Sequence, residues 1–195
     1  HVKLDSFVAI LSNLKRRELP PENQIKSLLD YYQAGQYDLA KAAAVSLTEN
    51  FPKYYLGWKV LGVVLGRDGN QMGSLNAKQV AVKLAPKDPE THNNLGNSLQ
   101  ELKRFEEAVE CFNTAIKLNP EFALAYNNLG NSLRELGRLE AAIKSFDKAT
   151  KIQPNLKQLY SNLSITLSLF QANHFSEELA KSYLSVLENS GSYNS

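Results

Sequence analysis

Hydrophobic positions along the chain follow the spacing of amphipathic helices, and the whole pattern repeats. Apolar residues recur three and four positions apart in segments that are separated by short polar breaks, such as Lys103-Arg104. The segment NNLGNSL at 93–99 returns at 127–133, 34 residues later. This spacing predicts a tandem array of units, each of which consists of a helix, a tight turn and a second helix.

Prolines, glycines and alanines follow the same period, and each has a physical role in such a unit. A proline ends the second helix because it cannot donate the next backbone hydrogen bond. Glycine and alanine leave room where paired helices cross closely. Asp88-Pro89 predicts a helix N-cap followed by a proline in the first turn. The residues that share the 34-residue step are Pro52, Pro86, Pro120 and Pro154; Gly62, Gly96 and Gly130; and Ala81, Ala115 and Ala149.

These features resemble the tetratricopeptide repeat, a family of 34-residue helix–turn–helix units. The resemblance is strongest over 89–122 and 123–156 and weaker in the units before them. In the unit 55–88, Ser74 stands where the family has a small alanine, and Lys78 stands where it has a large apolar residue. The resemblance implies an all-α, right-handed α-solenoid, or superhelix, of about five such repeats with capping helices.

The 34-residue step also predicts the domain organisation. We expect an N-terminal capping helix at 1–20, a repeat array at 21–188 and a disordered tail at 189–195. The predicted repeats cover 21–54, 55–88, 89–122, 123–156 and a degenerate 157–188. The capping helix is predicted from one apolar face that contains Leu4, Phe7, Val8, Leu11 and Leu14. A helix at the C-terminal end is predicted in the same way from Leu179, Ala180, Tyr183, Leu184 and Leu187.

Composition and charge argue against several classes of function. The chain has 22 basic and 20 acidic residues, and its net charge of +2 is too small to predict nucleic acid or an anionic membrane as a partner. The uncharged stretch 158–176 is broken by polar residues, so no membrane span is expected. The single cysteine, Cys111, excludes an intramolecular disulfide, and we expect a half-buried structural thiol in an intracellular, cytoplasmic protein.

The sequence also lacks a pattern for catalysis. The three histidines are separated from one another, and no cysteine or carboxylate cluster lies near any of them in the sequence. His92 is expected to pack or to cap a helix. We therefore expect no enzymatic activity, no cofactor and no metal site in this chain.

Amide side chains recur on the predicted first helices of the repeats. An amide carries both a donor and an acceptor, so it can pair with a peptide N–H and C=O together. The row is similar to the asparagine ladder in the tetratricopeptide superhelix of the O-GlcNAc transferases, and this resemblance implies that it holds an extended peptide in a concave groove. Alternatively, the amides cap or brace their own helices. The candidate peptide-binding residues are Asn93, Asn94, Asn97, Asn127, Asn128, Asn131, Arg134 and Asn162.

Two further surfaces follow from the same resemblance. Some members of the family hold a chaperone C-terminus in a dicarboxylate clamp, but here Lys59 has Val63 one turn on where the clamp needs asparagine, and Arg134 is a lone candidate. The clamp is therefore expected to be absent. The N-terminal half has a more apolar lining, which either accepts apolar side chains of a partner or is covered by the N-terminal capping helix. The lining positions are Ile25, Leu29, Tyr32, Lys59, Val60 and Val63.

Together these features predict a protein-interaction scaffold that binds an extended peptide or a partner domain in the groove. Because the chain opens at His1 without an initiator methionine, we expect it to be a segment of a longer protein or to carry the remnant of a tag. The alternative function is thus the substrate- or partner-recruiting N-terminal arm of a larger enzyme, such as a transferase. A third interpretation is a self-assembling structural array with weak self-association through its worn terminal repeats.

Overall fold

The computed structural model describes the backbone of residues 19–191 and the side chains of residues 19–175. All regular secondary structure within these residues is α-helical, and the predicted all-α helical-repeat architecture is confirmed. The predicted capping face at 4–14 lies outside the described residues, as do residues 192–195 of the predicted tail.

The described residues form nine helices in two compact units. Unit 1 ends at Asn119 and contains α1 to α6, whereas unit 2 begins at Pro120 and contains α7 to α9. The helices are α1 (Glu22–Gln33), α2 (Tyr37–Asn50), α3 (Tyr55–Arg67), α4 (Gln71–Leu84), α5 (Pro89–Glu101), α6 (Phe105–Leu118), α7 (Ala123–Glu135), α8 (Leu139–Ile152) and α9 (Lys157–Gly191).

Unit 1 consists of three helix pairs, α1–α2, α3–α4 and α5–α6. The second helix of each pair also packs on the first helix of the next pair, so the apolar side chains of successive pairs form a continuous core. Its buried side chains alternate between small alanines and larger aliphatic residues, which lets the helices interdigitate. The core around the first two pairs contains Leu28, Ala40, Ala44, Leu47, Val60, Leu61 and Val64.

A glycine on the first helix of a pair faces a large side chain on the second helix. In unit 1, a Cβ atom added to Gly96 would lie 2.5 Å from Cε1 of the buried Phe112. In unit 2, a Cβ atom on Gly130 would lie 2.7 Å from Cε1 of the buried Phe146. Real Cβ atoms do not approach other atoms this closely, so the prediction that glycine permits close crossing of the paired helices is confirmed.

The turn inside each of the four complete pairs contains one residue with positive φ. Three of these residues are glycines, which adopt this conformation without steric cost. The fourth is Lys103, with a φ of 58°. All four are separated by 34-residue steps: Gly35, Gly69, Lys103 and Gly137.

Helix starts and stops follow the predicted residue types. The Asp88 side chain accepts a hydrogen bond of 2.9 Å from the backbone N–H of Glu90, and Pro89 occupies the first helical position. The predicted N-cap of α5 is therefore confirmed. Trp58 Nε1 donates to the Pro52 carbonyl at 2.8 Å, and one step later His92 Nε2 lies 2.9 Å from the Pro86 carbonyl. His92 therefore ties the start of α5 to the proline that ends the preceding helix.

The last predicted repeat differs from the four pairs before it. Instead of turning, α9 continues as one helix of 35 residues from Lys157 to Gly191. The position 34 residues after Gly137 is Gln171, which is followed by Ala172, and both are good helix formers. Position 171 lacks the glycine that adopts positive φ in three of the four turns, although the turn at Lys103 shows that glycine is not required.

The second pair, α3–α4, departs from the repeat pattern and contains a buried polar cluster that connects α3, α4 and α5. Lys78 Nζ donates to Ser98 Oγ at 2.7 Å, and Ser98 Oγ lies 3.0 Å from Ser74 Oγ. Ser74 Oγ in turn donates to the Gly62 carbonyl at 2.7 Å. Burial lowers the pKa of Lys78, and Glu101 only partly opposes that effect. The polar substitutions noted in the sequence therefore form a hydrogen-bonded chain inside unit 1.

Candidate peptide-binding surface

In unit 1, the predicted site residues all lie on α5, but they occupy different environments. Asn93 is buried, whereas Asn94 and Asn97 are half-buried. Because successive residues on a helix are rotated by about 100°, a one-residue difference is enough to turn a side chain from the interior to the surface. Only Asn94 and Asn97 therefore offer amide surface to a ligand.

In unit 2, the equivalent residues of α7 show the same division. Asn127 is buried, and Asn128 and Asn131 are half-buried. Asn127 Nδ2 lies 3.4 Å from Asn128 Oδ1, so the buried amide also approaches its half-buried neighbour. This arrangement orients the Asn128 side chain.

A second amide contact joins α7 to α9 within unit 2. Asn162 Nδ2 donates to Asn127 Oδ1 at 2.8 Å, although the two residues are 35 positions apart in the sequence. The bond connects two first helices in neighbouring positions of the repeat. Asn127 and Asn162 thus join two helices, whereas the alternative interpretation placed such bracing within a single helix.

Arg134 lies one turn beyond Asn131 on α7 and interacts with it. Arg134 NH2 donates to Asn131 Oδ1 at 3.2 Å, and the guanidinium carbon lies 5.7 Å from the ring centroid of Phe146. Its NH1 atom is buried and has no hydrogen-bond partner within the described residues. The Asn131 carbonyl oxygen therefore accepts a hydrogen bond from within the same helix.

Lys59, the lysine considered for a dicarboxylate clamp, is already paired with two of the protein's own carboxylates. Lys59 Nζ lies 3.0 Å from Asp88 Oδ2 and 2.5 Å from Glu90 Oε2. Burial lowers the pKa of Lys59, but its hydrogen bonds to Glu90 and Asp88 outweigh that effect and raise it. The lysine is a charged group neutralised within unit 1, and this geometry does not favour binding of a ligand carboxylate there.

The predicted apolar lining of the N-terminal half is only partly at the surface. Ile25, Leu29 and Tyr32 are half-buried, as are Lys59 and Val63. The prediction that Val60 lines this surface is wrong, because its side chain is buried in the core of unit 1.

The groups considered for catalysis are placed in structural roles or are unreactive. Burial, reinforced by Glu110 and Glu107, raises the pKa of the half-buried Cys111 thiol to about 11. A thiol with this pKa is a weak nucleophile at neutral pH because little thiolate forms. In the part of the chain that the structure describes, no three histidine, cysteine or carboxylate side chains come together as metal ligands.

The structure also contains a cleft that sequence patterns did not reveal. It has a volume of about 440 Å³ and lies in unit 2, between the turn at 137–141 and residues 170–174 of α9. Phe170 and His174 line it, with ring centroids 4.4 Å apart. The cleft lies beside the segment in which α9 continues as a helix, and position 171 there has no glycine.

A comparison with protein families identifies the repeat. Residues 93–156 match the tetratricopeptide repeat, so the resemblance drawn from the sequence is confirmed and this segment belongs to that family. No curated protein matches the chain. Among the described residues, no helix has the combination of length and apolar character that a membrane crossing requires.

Solved structures with the same fold share little sequence identity with this chain. A crystal structure of MamA has a TM-score of 0.68 and 20% identity, with 86% of this chain and 90% of that chain covered. Pseudomonas aeruginosa PilF has a TM-score of 0.70 and 23% identity, with 77% and 69% covered. The first tetratricopeptide domain of Spaghetti (RPAP3), bound to the HSP90 peptide SRMEEVD, has a TM-score of 0.59 and 22% identity, with 60% and 93% covered. At these identities the similarities establish the fold.

Proposed function

We propose that the chain is a protein-interaction module that binds an extended peptide through amide side chains on the first helices of its repeats. The observation that supports this function is the half-buried set Asn94, Asn97, Asn128 and Asn131, which recurs at the 34-residue step on α5 and α7. Each unit thus has two such amides one turn apart on one helix, and they can pair with backbone groups of a ligand and need no particular ligand side chain. The first tetratricopeptide domain of RPAP3, which has a similar fold, is bound to a peptide, and this supports a peptide as the class of ligand.

In this proposal the amides divide into two roles. The half-buried asparagines contact the peptide, whereas the buried Asn93 and Asn127 position them from inside the helix layer. The Asn162–Asn127 hydrogen bond of 2.8 Å supports the second role, because it fixes α7 relative to α9. Within unit 2, this bond holds in place the helix that carries Asn128 and Asn131, which reduces the entropy lost when a peptide binds to them.

The charges near these residues favour a ligand without an acidic terminus. Lys59 is neutralised by Asp88 and Glu90, and Arg134 is bonded to Asn131 and stacked near Phe146. Lys59 therefore cannot pair with a ligand carboxylate without breaking an existing contact. Each amide hydrogen bond contributes only about 0.5–1.5 kcal/mol, so we expect affinities on the order of micromolar.

The decisive experiment is a peptide-array screen of the purified chain, followed by isothermal titration calorimetry with the best peptide. The variant combines Asn94→Ala, Asn128→Ala and Asn131→Ala. The matched control is Asn113→Ala, because Asn113 is an exposed amide on the second helix α6. We expect the triple variant to lose about 1.5–4.5 kcal/mol of binding free energy with an unchanged circular dichroism spectrum, and the control to bind as the parent does.

Two results would contradict this proposal. If the folded triple variant binds as tightly as the parent, the amides do not contact the peptide. If no neutral peptide on the array binds and the chain instead binds SRMEEVD, the ligand is recognised through its carboxylates. Lys59 must then release Asp88 and Glu90 to pair with the ligand.

A further inference from the structure

The first half of α9 occupies the position of a first helix in a fifth pair. Within unit 2, α9 packs mainly on α8 and more lightly on α7. The same pattern relates α5 to α4 and to α3 within unit 1. Residues from Lys157 to about Gln171 therefore continue the repeat, and the position of a second helix beside them remains to be filled.

The face of α9 that should meet this second helix is uncovered among the described residues. Leu167 is 40% exposed, although its equivalents one and two steps earlier, Leu133 and Leu99, are 8% and 4% exposed. Ser164 is also exposed, whereas the equivalent Gly130 lies against Phe146 of its own pair. An apolar side chain of this kind normally becomes buried against a partner.

The chain cannot cover this face with its own second helix while α9 is continuous. A helix of 35 residues is a rod of about 52 Å, so residues after Gln171 extend away from the first half instead of folding back on it. The four complete pairs reverse direction through a residue with positive φ, and α9 has none from Lys157 to Gly191.

The sequence of the second half of α9 has the pattern of the missing second helix. Its apolar residues are spaced for one helical face, and they follow position 171 where a second helix would follow its turn. The 34-residue step places Ala180 where Phe112 and Phe146 stand, and Ser164 where Gly96 and Gly130 stand. A Cβ atom at this first-helix position would clash with the phenylalanine ring in the two earlier pairs, whereas the Cβ atom of Ser164 is matched by an alanine without a ring. The apolar residues are Leu179, Ala180, Tyr183, Leu184 and Leu187.

From these observations we propose that α9 forms a domain-swapped dimer with a second copy of this chain. The second half of each α9 fills the position of the missing second helix on the first half of the other copy's α9. Because α9 carries both halves of the pair, an antiparallel two-fold arrangement satisfies both copies at once and leaves no unpaired face. The cleft beside Phe170 and His174 lies near the middle of α9, where the two helices cross in this arrangement.

The occupant is a second copy and not an unrelated partner because the complementary sequence is present in the chain itself. Each copy has one uncovered first-helix face and the sequence pattern of one second helix, so two copies complete each other with the same contact made twice. This assembly is separate from the proposed peptide binding, and either one can fail in an experiment without the other.

The proposal is tested first by sedimentation equilibrium of the full chain over a range of concentrations. We expect a species of twice the 21.8 kDa chain mass. Leu167→Glu should dissociate it to the monomer with retained helicity, because the charge cannot be buried in the new pair. Leu118→Glu is the matched control, since Leu118 on α6 is 39% exposed and should tolerate the same change.

A second experiment decides between a swapped and a closed fifth pair, and it does not depend on the folding of Leu167→Glu. In a Cys111→Ser background, one preparation carries Ser164→Cys and another carries Ala180→Cys. The two are mixed in mild denaturant, refolded together and oxidised. We expect a covalent dimer from the mixture and only weak cross-linking of either preparation alone, because the two positions face each other across copies.

Three outcomes would overturn the proposal. The first is a monomer at every concentration. The second is a disulfide that forms within one chain when Ser164→Cys and Ala180→Cys are combined and that is absent from the mixture, which indicates a closed pair. The third is a dimer that Leu167→Glu leaves intact and that shows no cross-link between these positions, which indicates a different interface.

Discussion

At the scale of single residues, the second helix pair shows how a polar substitution is accommodated where the repeat requires an apolar side chain. Lys78 occupies the position of Phe112 and Phe146, and its ammonium group reaches Ser98 Oγ at 2.7 Å inside unit 1. One neutral hydroxyl only partly replaces the hydration that the charge loses on burial. The lowered pKa of Lys78 follows from that loss.

Replacing this lysine with an apolar residue of similar shape is expected to stabilise the protein. The folded chain binds fewer protons at Lys78 than the unfolded chain at pH values between the lowered pKa and the usual value near 10.5. The free energy of unfolding should therefore rise with pH across that window, and the full cost of the buried charge is present below it. We expect Lys78→Met to increase the free energy of unfolding by on the order of 1 kcal/mol at neutral pH. The variant should also show a weaker increase of this free energy with pH.

Urea unfolding at neutral and alkaline pH measures both effects. Lys83→Met is the control, because Lys83 lies on the same helix and is exposed. Equal stability and an equal pH slope for Lys78→Met and the parent would show that the buried ammonium costs nothing.

At the scale of helices, the turns were predicted more reliably than the directions in which side chains point. Prolines and glycines located four helix pairs because these residues act on the backbone locally. The amide row was harder to interpret, since Asn93 and Asn94 are adjacent in sequence and identical in type, yet only Asn93 is buried. Whether a side chain faces a neighbouring helix or the solvent depends on packing that a repeat period does not specify.

The same limit applies to α9 and to Val60. The 34-residue period predicted a helical pair after Lys157, but the local sequence at Gln171-Ala172 favours a helix, and local preference prevailed. Val60 follows the sequence pattern of a lining position but lies in the core, because side chains from neighbouring helices pack around it.

The turn in the third pair provides a test of backbone strain. Lys103 has a φ of 58° where the other three turns have glycine, so a side chain is held in a conformation that favours glycine. Lys103→Gly should raise the free energy of unfolding by about 0.5–1 kcal/mol, and Gly137→Ala should lower it by about 1 kcal/mol or more.

Chemical denaturation of the two variants measures these changes, and Lys103→Ala is the control that removes the charge but keeps the Cβ atom. Similar stabilisation by Lys103→Ala and Lys103→Gly would assign the effect to charge and contradict the role of backbone strain.

At the scale of the whole molecule, the two units differ in how completely their helices are paired. Unit 1 contains three full pairs with a core of their own, whereas unit 2 contains one full pair and the single helix α9. Repeat arrays need about three units before the buried surface offsets the entropy of ordering the chain. Unit 1 meets that requirement by itself.

We therefore expect a fragment of residues 1–119 to fold and to unfold cooperatively on heating. A fragment of residues 120–195 should be largely unfolded at low concentration, because its one complete pair buries too little apolar surface. Far-ultraviolet circular dichroism during thermal scans separates these cases. A stable, cooperative 120–195 fragment together with an unfolded 1–119 fragment would reverse this assignment.

The hydrogen bond from Trp58 to the Pro52 carbonyl has a practical consequence for observing the protein. Trp58 is the chain's sole tryptophan, and it packs against the core of unit 1. Its intrinsic fluorescence is therefore a site-specific optical probe of one half of the molecule. Emission from this indole reports the loss of packing in unit 1 and does not respond to changes confined to unit 2. If the fluorescence and ellipticity transitions do not coincide during denaturation, the two units unfold separately.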